Sequence, residues 1–102
     1  LDRVNPKNPQ VVELLGFTQM AARNLGNAES TFNRLVTLAP TLTGPRVLLA
    51  RAQAQQGRTN DARATYTQAL TLTGQNLVPV YIDLIGLEAR ARNMPAATAL
   101  VN

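Results

Sequence analysis

The sequence predicts an all-α fold in which pairs of helices repeat along the chain. Residues 28–40 and 62–74 match each other at an offset of 34 residues, which indicates an internal repeat. Apolar side chains recur at helical spacing, as at Val11, Leu14 and Leu15. Composition agrees, because the 102 residues are 45% hydrophobic but only 4% aromatic and are rich in Ala and Leu, which favour helices. A chain of this length forms one small domain.

Taken in order, the apolar pattern predicts about six helices in three antiparallel pairs. The first pair is expected over 10–22 and 26–38, the second over 44–56 and 60–72, and the third over 78–91 and 95–102. One helix pair is too small to bury its own apolar face. Neighbouring pairs are therefore expected to stack and to share one continuous core.

Residues at the predicted helix ends suit these bounds. Proline is tolerated in a first turn, where its missing N–H would have no partner, and the prolines at such places are Pro9, Pro45, Pro79 and Pro95. Asn27 and Asn60 are expected to cap helices by accepting hydrogen bonds from free amides. Gly57 is expected to end a helix, because glycine readily adopts the left-handed conformation.

The repeated positions follow a fixed order within each repeat. The first repeat has Val12-x2-Leu15-Gly16-x2-Gln19, then Ala28-x3-Phe32 and Pro40. The second has Arg46-x2-Leu49-Ala50-x2-Gln53, then Ala62-x3-Tyr66 and Gly74. With one residue inserted near Gly74–Asn76, the third has Tyr81-x2-Leu84-Ile85, then Ala97-x3-Val101. Without the insertion Ala28, Ala62 and Ala96 align equally well, but Asp83 rather than Leu84 then takes a core position.

This order resembles the tetratricopeptide repeat (TPR) family, whose pattern is W-x2-L-G-x2-Y, A-x3-F and a closing P. The bulky aromatic is missing from the first helices of repeats one and two, and Ile85 stands where Gly or Ala is usual. The resemblance implies a right-handed α-solenoid of stacked helix-turn-helix repeats. It divides one solenoid fragment, 1–102, into the end of a preceding repeat (1–8), repeat one (9–42), repeat two (43–77) and a truncated repeat three (78–102).

The same register predicts that the chain is a piece of a longer array. Its composition resembles that of exported bacterial TPR proteins. The alternative is that residues 1–6 are a native tail. An array cut at both ends would expose apolar surface, so we also expect a tendency to end-to-end self-association.

In the TPR family the first helices of successive repeats line a concave groove. The corresponding outward positions in this sequence are Gln10, Glu13, Phe17, Met20, Val47, Arg51, Ala54, Gln55, Ile82, Gly86, Ala89 and Arg90. They predict an apolar patch at Phe17, Met20 and Val47, with arginines further along that would suit a carboxylate. The alternatives are that Phe17 and Met20 contact a preceding repeat and that Arg51 and Arg90 are solvated surface.

One known mode of binding in the family is not expected here. Some members hold chaperone C-terminal tails with a clamp of Lys and Asn on the first helices. The corresponding positions carry Glu13, Phe17, Leu48, Pro79 and Asp83. The sequence therefore argues against a chaperone-tail adaptor.

Catalytic and metal chemistry have few candidate residues. The sequence has no Cys and no His, so the common thiol and imidazole nucleophiles, bases and ligands are missing. Ser30 is the only serine and has no histidine to activate it. The acids are not paired at helical spacing, and the glycines are isolated rather than grouped in a phosphate loop. We therefore expect no enzyme activity, no metal and no cofactor.

These observations favour a protein–protein interaction scaffold that binds a partner segment in the groove. The alternative is a structural spacer with an empty groove. Nucleic-acid binding ranks last, because the net charge of +4 reflects few acids rather than a basic stripe. No apolar run reaches the length needed to cross a bilayer. One Lys against nine Arg, together with abundant Asn, Gln and Thr, slightly favours an exported bacterial protein, periplasmic or lipid-anchored, over a cytoplasmic one.

Overall fold

The computed structural model describes residues 8–72 and 74–90, which form five α-helices and, within those ranges, no strand. They are α1 (Pro9–Ala21), α2 (Leu25–Leu38), α3 (Thr43–Gln55), α4 (Thr59–Ala69) and α5 (Val78–Arg90). Short turns join α1 to α2 and α3 to α4, and each pair packs side by side as antiparallel neighbours. The predicted all-α fold is confirmed. The sixth predicted helix, 95–102, lies outside the described residues.

The helices recur at the spacing of the sequence repeat. α1, α3 and α5 begin at residues 9, 43 and 78, which are steps of 34 and 35. α2 and α4 begin at residues 25 and 59, again a step of 34. The longer second step matches the one-residue insertion near Gly74–Asn76 in the alignment of the third repeat. None of the described helices is long and apolar enough to cross a membrane.

Two of the predicted helix caps are wrong. α2 and α4 begin at Leu25 and Thr59, so Asn27 and Asn60 lie inside the first turns rather than before them. The Oδ1 atom of Asn60 instead accepts a hydrogen bond from Arg63 Nη1 at 2.8 Å. The N-cap residues of these helices, Asn24 and Arg58, make no side-chain capping bond, and an arginine side chain has no acceptor with which to make one.

Other helix ends follow the sequence signals. The side chain of Asn8 caps α1 by accepting from the Gln10 amide at 2.9 Å, and Pro9 is the first helical residue. Pro45 and Pro79 lie in the first turns of α3 and α5. Gly57 follows α3 with a φ of 80°, a conformation that costs glycine little. The prediction for Pro95 lies outside the described residues.

The core consists of two apolar clusters, one for each junction between helix pairs. The first contains Val12, Ala28, Phe32, Leu35, Leu49 and Ala52. The second contains Val47, Ala50, Ala62, Tyr66, Ala69, Val80, Leu84 and Leu87. In the first cluster the ring of Phe32 lies directly against Gly16, where a Cβ would overlap it. This contact explains why a glycine is needed at that point of α1.

A layer of polar side chains crosses the core at the same repeat position each time. The Thr31 hydroxyl donates to Gln19 Oε1, and 34 residues later the Thr65 hydroxyl donates to Gln53 Oε1 at 2.7 Å. Gln19 and Gln53 correspond to Glu88 in the third repeat. Thr31, Gln53, Thr65 and Glu88 are all buried, so the layer is part of the packing between helix pairs. Each of these polar groups is hydrogen-bonded, as burial requires.

Candidate partner-binding cleft

The described residues form a polar cleft between α3 and α5. Its volume is about 260 Å³, and the residues that line it are Arg51, Ala54, Gln55, Tyr66, Asp83 and Arg90. α3 and α5 begin 35 residues apart, at equivalent positions of the second and third sequence repeats. They stand side by side because Val80, Leu84 and Leu87 of α5 pack into the second apolar cluster. The helices thereby bring residues more than thirty positions apart into one site.

An ion pair and a phenol form one wall of the cleft. Arg51 Nε donates to Asp83 Oδ2 at 2.6 Å, and Arg51 Nη2 donates to Asp83 Oδ1 at 3.3 Å. The Tyr66 hydroxyl donates to Asp83 Oδ2 at 3.1 Å. The side chain of Asp83 is 17% exposed and that of Arg51 is 47% exposed. Asp83 is therefore held in place by two groups, while the guanidinium stays open to solvent.

The surroundings fix the protonation states of Tyr66 and Arg51. Burial, together with the charge of Asp83 and the hydrogen bond to it, raises the pKa of Tyr66. The hydrogen bond to Asp83 raises the pKa of Arg51 despite partial burial. The phenol thus remains a neutral donor and the guanidinium a cation at physiological pH. The cleft can bind groups by hydrogen bonds and charge, but it offers no activated nucleophile.

Gln55 and Arg90, the last residues of α3 and α5, also line the cleft. Gln55 Oε1 accepts a hydrogen bond from Arg23 Nη1 at 3.1 Å, which ties the turn after α1 to the end of α3. Arg23 adopts a φ of 61°, which is uncommon for a residue other than glycine. Arg90 is the last residue of α5 and is exposed. Within residues 8–72 and 74–90, Arg90 has no hydrogen-bond or ion-pair partner.

The structure brings together four of the twelve positions predicted for the groove. Arg51, Ala54, Gln55 and Arg90 line the cleft between α3 and α5. Gln10 and Glu13 lie elsewhere, on a separate and mainly apolar cleft of about 250 Å³. The other residues of that second cleft are Pro9, Leu35, Ala39, Leu42, Gly44 and Pro45.

The predicted apolar patch is not a continuous groove surface. Val47 was expected to face outward, but it is only 6% exposed and belongs to the second core cluster, because α5 covers it. Met20 is half-buried against the first cluster. Phe17 is half-exposed and meets Phe32 edge-on, with ring centroids 6.1 Å apart. Ile82 is exposed, but it is not among the residues that line either cleft.

Two residues of the cleft were missed as site residues in the sequence. In the sequence, Tyr66 is only a position of the repeat pattern, and Asp83 is only a departure from the chaperone-tail clamp and the core residue of the alternative alignment. A signal for Asp83 exists, since Arg51 corresponds to Gly86 in the third repeat and Asp83 lies one helical turn before that position. Opposite charges one turn apart on neighbouring first helices predict a bridge between repeats. The Tyr66 hydroxyl carries no comparable signal.

Metal ligands do not gather in the described part of the chain. No group of three or more His, Cys, Asp or Glu side chains lies close enough there to hold a metal ion. Four acidic side chains take part in ion pairs instead, namely Glu29, Asp61, Asp83 and Glu88. The chemistry that these residues offer is recognition by charge and hydrogen bonding.

Comparisons with known proteins identify the fold. Neither a protein-family model nor a curated protein sequence matches the chain. Among solved structures, the chain is similar to "MamA MSR-1 C2", with a TM-score of 0.72 and 20% identity over 93% of this chain and 54% of that one. It is also similar to an arginine-to-glutamate mutant of MamA, with a TM-score of 0.71 and 19% identity over 99% of this chain and 72% of that one.

The chain spans about half the length of the first of these solved chains. MamA is a TPR-containing protein, and the similarity extends over nearly all of the present chain. The five described helices therefore belong to a TPR-like helical repeat solenoid.

Proposed function

We propose that the chain is a non-catalytic interaction scaffold that binds a segment of a partner protein at the α3–α5 cleft. The observation that carries the proposal is the convergence of Arg51, Gln55 and Arg90 there, from equivalent helices of two successive sequence repeats. Repeat solenoids use surfaces built across their repeats for extended partners. The absence of Cys and His from the sequence also favours binding over catalysis.

Composition supports a more specific setting for this scaffold. Nine Arg against one Lys, no Cys and few acids suit a bacterial protein of an assembly or export system, in the periplasm or on a lipid anchor. The solenoid would then present the cleft to other members of that system. The competing account remains a spacer, in which the repeats only separate other parts of a longer protein and the cleft has no ligand.

Selection of random displayed peptides on the immobilised chain tests the proposal. A selected peptide is then titrated into ¹⁵N-labelled chain, and the NMR signals that move are mapped onto the structure. We expect the largest shifts at Arg51, Gln55 and Arg90. The spacer account is favoured instead if no peptide is selected, or if the signals that move lie on α1 and α2.

A matched pair of charge reversals controls this experiment. Arg90→Glu changes an exposed arginine in the cleft, and Arg34→Glu makes the same change on an exposed arginine of α2. We expect Arg90→Glu to weaken binding about tenfold, as for a central contact worth ~1.4 kcal/mol, and Arg34→Glu to leave it unchanged. Circular dichroism establishes that both variants keep the helicity of the original chain. Equal losses in both variants would indicate non-specific attraction to the net charge and would contradict the proposal.

A further inference from the structure

Asp83 is the one carboxylate that lines the cleft, and its oxygens already accept hydrogen bonds from within the protein. The carboxylate of Asp83 accepts from Arg51 Nε at 2.6 Å, from Arg51 Nη2 at 3.3 Å and from the Tyr66 hydroxyl at 3.1 Å. Three donors on two oxygens use most of the directions in which a carboxylate accepts. A ligand that brings donors therefore finds little free acceptor capacity at this wall.

Donors remain available on the other side. Arg23 uses one of the two acceptor directions of Gln55 Oε1, while both N–H groups of Gln55 Nε2 are left for a ligand. Arg90 presents five N–H groups, and Arg51 Nη1 is not used by Asp83. Across residues 8–72 and 74–90, none of these three donor groups has an acceptor. The cleft as folded has spare donors and few spare acceptors.

The charge of the cleft agrees with this count. Its lining includes two cations, Arg51 and Arg90, against the one carboxylate of Asp83. A guanidinium matches a carboxylate in shape, because two parallel N–H groups can meet two oxygens. The space of about 260 Å³ is sized for a side chain and not for a double helix. A phosphate backbone binds through many cations rather than one or two.

We infer that the partner segment is acidic and places a side-chain carboxylate between Arg90 and Gln55, while Asp83 acts as an internal carboxylate that competes for Arg51. The inference rests on the proposed function and specifies the chemistry of its ligand. Arg90 is the docking cation. The bridge between Arg51 and Asp83 limits how much of the second cation the partner can reach.

Three capped peptides test the inference by NMR titration. The probe alternates glutamate with leucine, and its two controls carry glutamine or lysine in place of glutamate. We expect the glutamate peptide alone to shift the Arg90 Nε–H and Gln55 side-chain signals, with an effect that declines as salt is added. Equal binding of the glutamine peptide, preferential binding of the lysine peptide, tighter binding of a short oligonucleotide, or no shift with the glutamate peptide would each overturn the acidic-partner inference.

Two variants separate the roles of Arg90 and Asp83. Arg90→Gln removes an exposed charge without touching the core, and we expect it to weaken the glutamate peptide about fivefold. Asp83→Asn releases Arg51, and we expect it to strengthen the same peptide about fivefold. No change in Arg90→Gln would overturn the inference even if Asp83→Asn failed to fold. Displayed peptides that bind the cleft but lack Asp and Glu would uphold the proposed function and refute the acidic partner.

Discussion

Two interfaces between helix pairs share one apolar frame but differ in their polar side chains. The first interface joins α2 to α3, and the second joins α3 and α4 to α5. Both place a ring in the centre of the core, since Phe32 is 0% exposed and Tyr66 is 1% exposed. Phe32 belongs to a cluster against which Leu48 packs, whereas the Tyr66 hydroxyl reaches Asp83. The comparison shows that the repeat preserves volume at these sites and varies the chemistry at their edges.

The same contrast recurs at other equivalent positions. The pairs, with the first-interface residue named first, are Phe32 and Tyr66, Leu48 and Asp83, Phe17 and Arg51, Gln53 and Glu88, and Glu29 and Arg63. At the first interface Gln53 Nε2 donates to Glu29 at 3.3 Å. At the second interface, Arg63 Nε donates to Glu88 at 2.7 Å. The carboxylate of Glu88 therefore takes the position of the Gln53 amide, and Arg63 takes the position of Glu29.

These exchanges explain why the cleft forms at the second interface. Phe17 meets Phe32 edge-on and adds a second ring beside the first interface. The equivalent Arg51 extends to Asp83 and remains 47% exposed, and a polar cleft lies around it. The same helix frame therefore carries an apolar edge beside Phe32 and a polar, charged edge beside Tyr66.

The largest expected effect tests whether the apolar frames are equivalent. Phe32→Ala and Tyr66→Ala each remove a buried ring, and we expect each to lower the free energy of unfolding by about 3–5 kcal/mol. Urea denaturation followed by circular dichroism measures both losses. A loss at one site that is less than half of the other would contradict the claim that the two interfaces share one frame.

A smaller effect tests the close contact between α1 and α2 at Gly16. In Gly16→Ala the added Cβ overlaps the Phe32 ring, and we expect the free energy of unfolding to fall by about 1–3 kcal/mol. Gly86→Ala is the control, because nothing lies within 4 Å of the added Cβ in the described structure. It should raise stability by up to about 1 kcal/mol through helix propensity alone. Equal stabilisation in both variants would refute the close contact.

A third test concerns the hydrogen bond between the Tyr66 hydroxyl and Asp83, which the first interface lacks at the equivalent Phe32. Tyr66→Phe removes one hydrogen bond to Asp83 and keeps the Arg51 bridge, so we expect a loss of about 1 kcal/mol. The reciprocal Phe32→Tyr adds a hydroxyl to a ring that is buried in an apolar cluster and lies against Gly16, so this variant should also lose stability. The two variants are compared by urea denaturation at neutral pH. A gain of stability in Phe32→Tyr would show that the first interface tolerates the polar edge.

The dependence of stability on pH tests whether Tyr66 is buried as a neutral phenol. The pKa of Tyr66 is raised above its ordinary value of 10.0, chiefly by burial and then by Asp83. The unfolded chain therefore ionises first as the pH rises. The phenol's contribution to stability is complete below pH 10 and declines above it. We expect the advantage of the original chain over Tyr66→Phe to shrink between pH 10 and 11, and an advantage that grows with pH would contradict the burial of a neutral phenol.

The smallest expected effect concerns the exposed side of the bridge. Arg51→Gln should cost less than about 1 kcal/mol, because the guanidinium is half in solvent and its attraction to Asp83 is screened. The cost should be smaller at 1 M salt than at low salt. Urea denaturation at both salt concentrations measures the difference. A cost that does not depend on salt would indicate lost packing instead of lost charge.

The sequence predicted the fold well because the spacing of apolar positions within each repeat is set by helix geometry. Matching apolar positions 34 residues apart define α1 to α4, and one extra residue before α5 accounts for its later start. The caps at Asn27 and Asn60 could not be placed the same way. Their helices begin two residues and one residue earlier, after tight turns in which Arg23 and Gly57 take positive φ values.

The cleft was only partly predictable because it depends on how helices rest on one another. Val47 and Arg51 lie one turn apart on the same face of α3, and the periodicity gives them the same orientation. Val47 is buried in the cluster to which α5 contributes, while the longer side chain of Arg51 extends to Asp83 on α5. The position of the Tyr66 hydroxyl depends on the packing of α5 against α4, which no local pattern encodes.

Titration of the glutamate and leucine peptide into chain with ¹⁵N-labelled arginine tests the central claim most directly, because each side chain reports separately through its Nε–H signal. The account predicts that the signal of Arg90 shifts most and in proportion to bound peptide, that Arg51 shifts less because Asp83 holds it, and that Arg34 and Arg46 stay unchanged. Shifts of similar size at all four arginines, or none at Arg90, would contradict it.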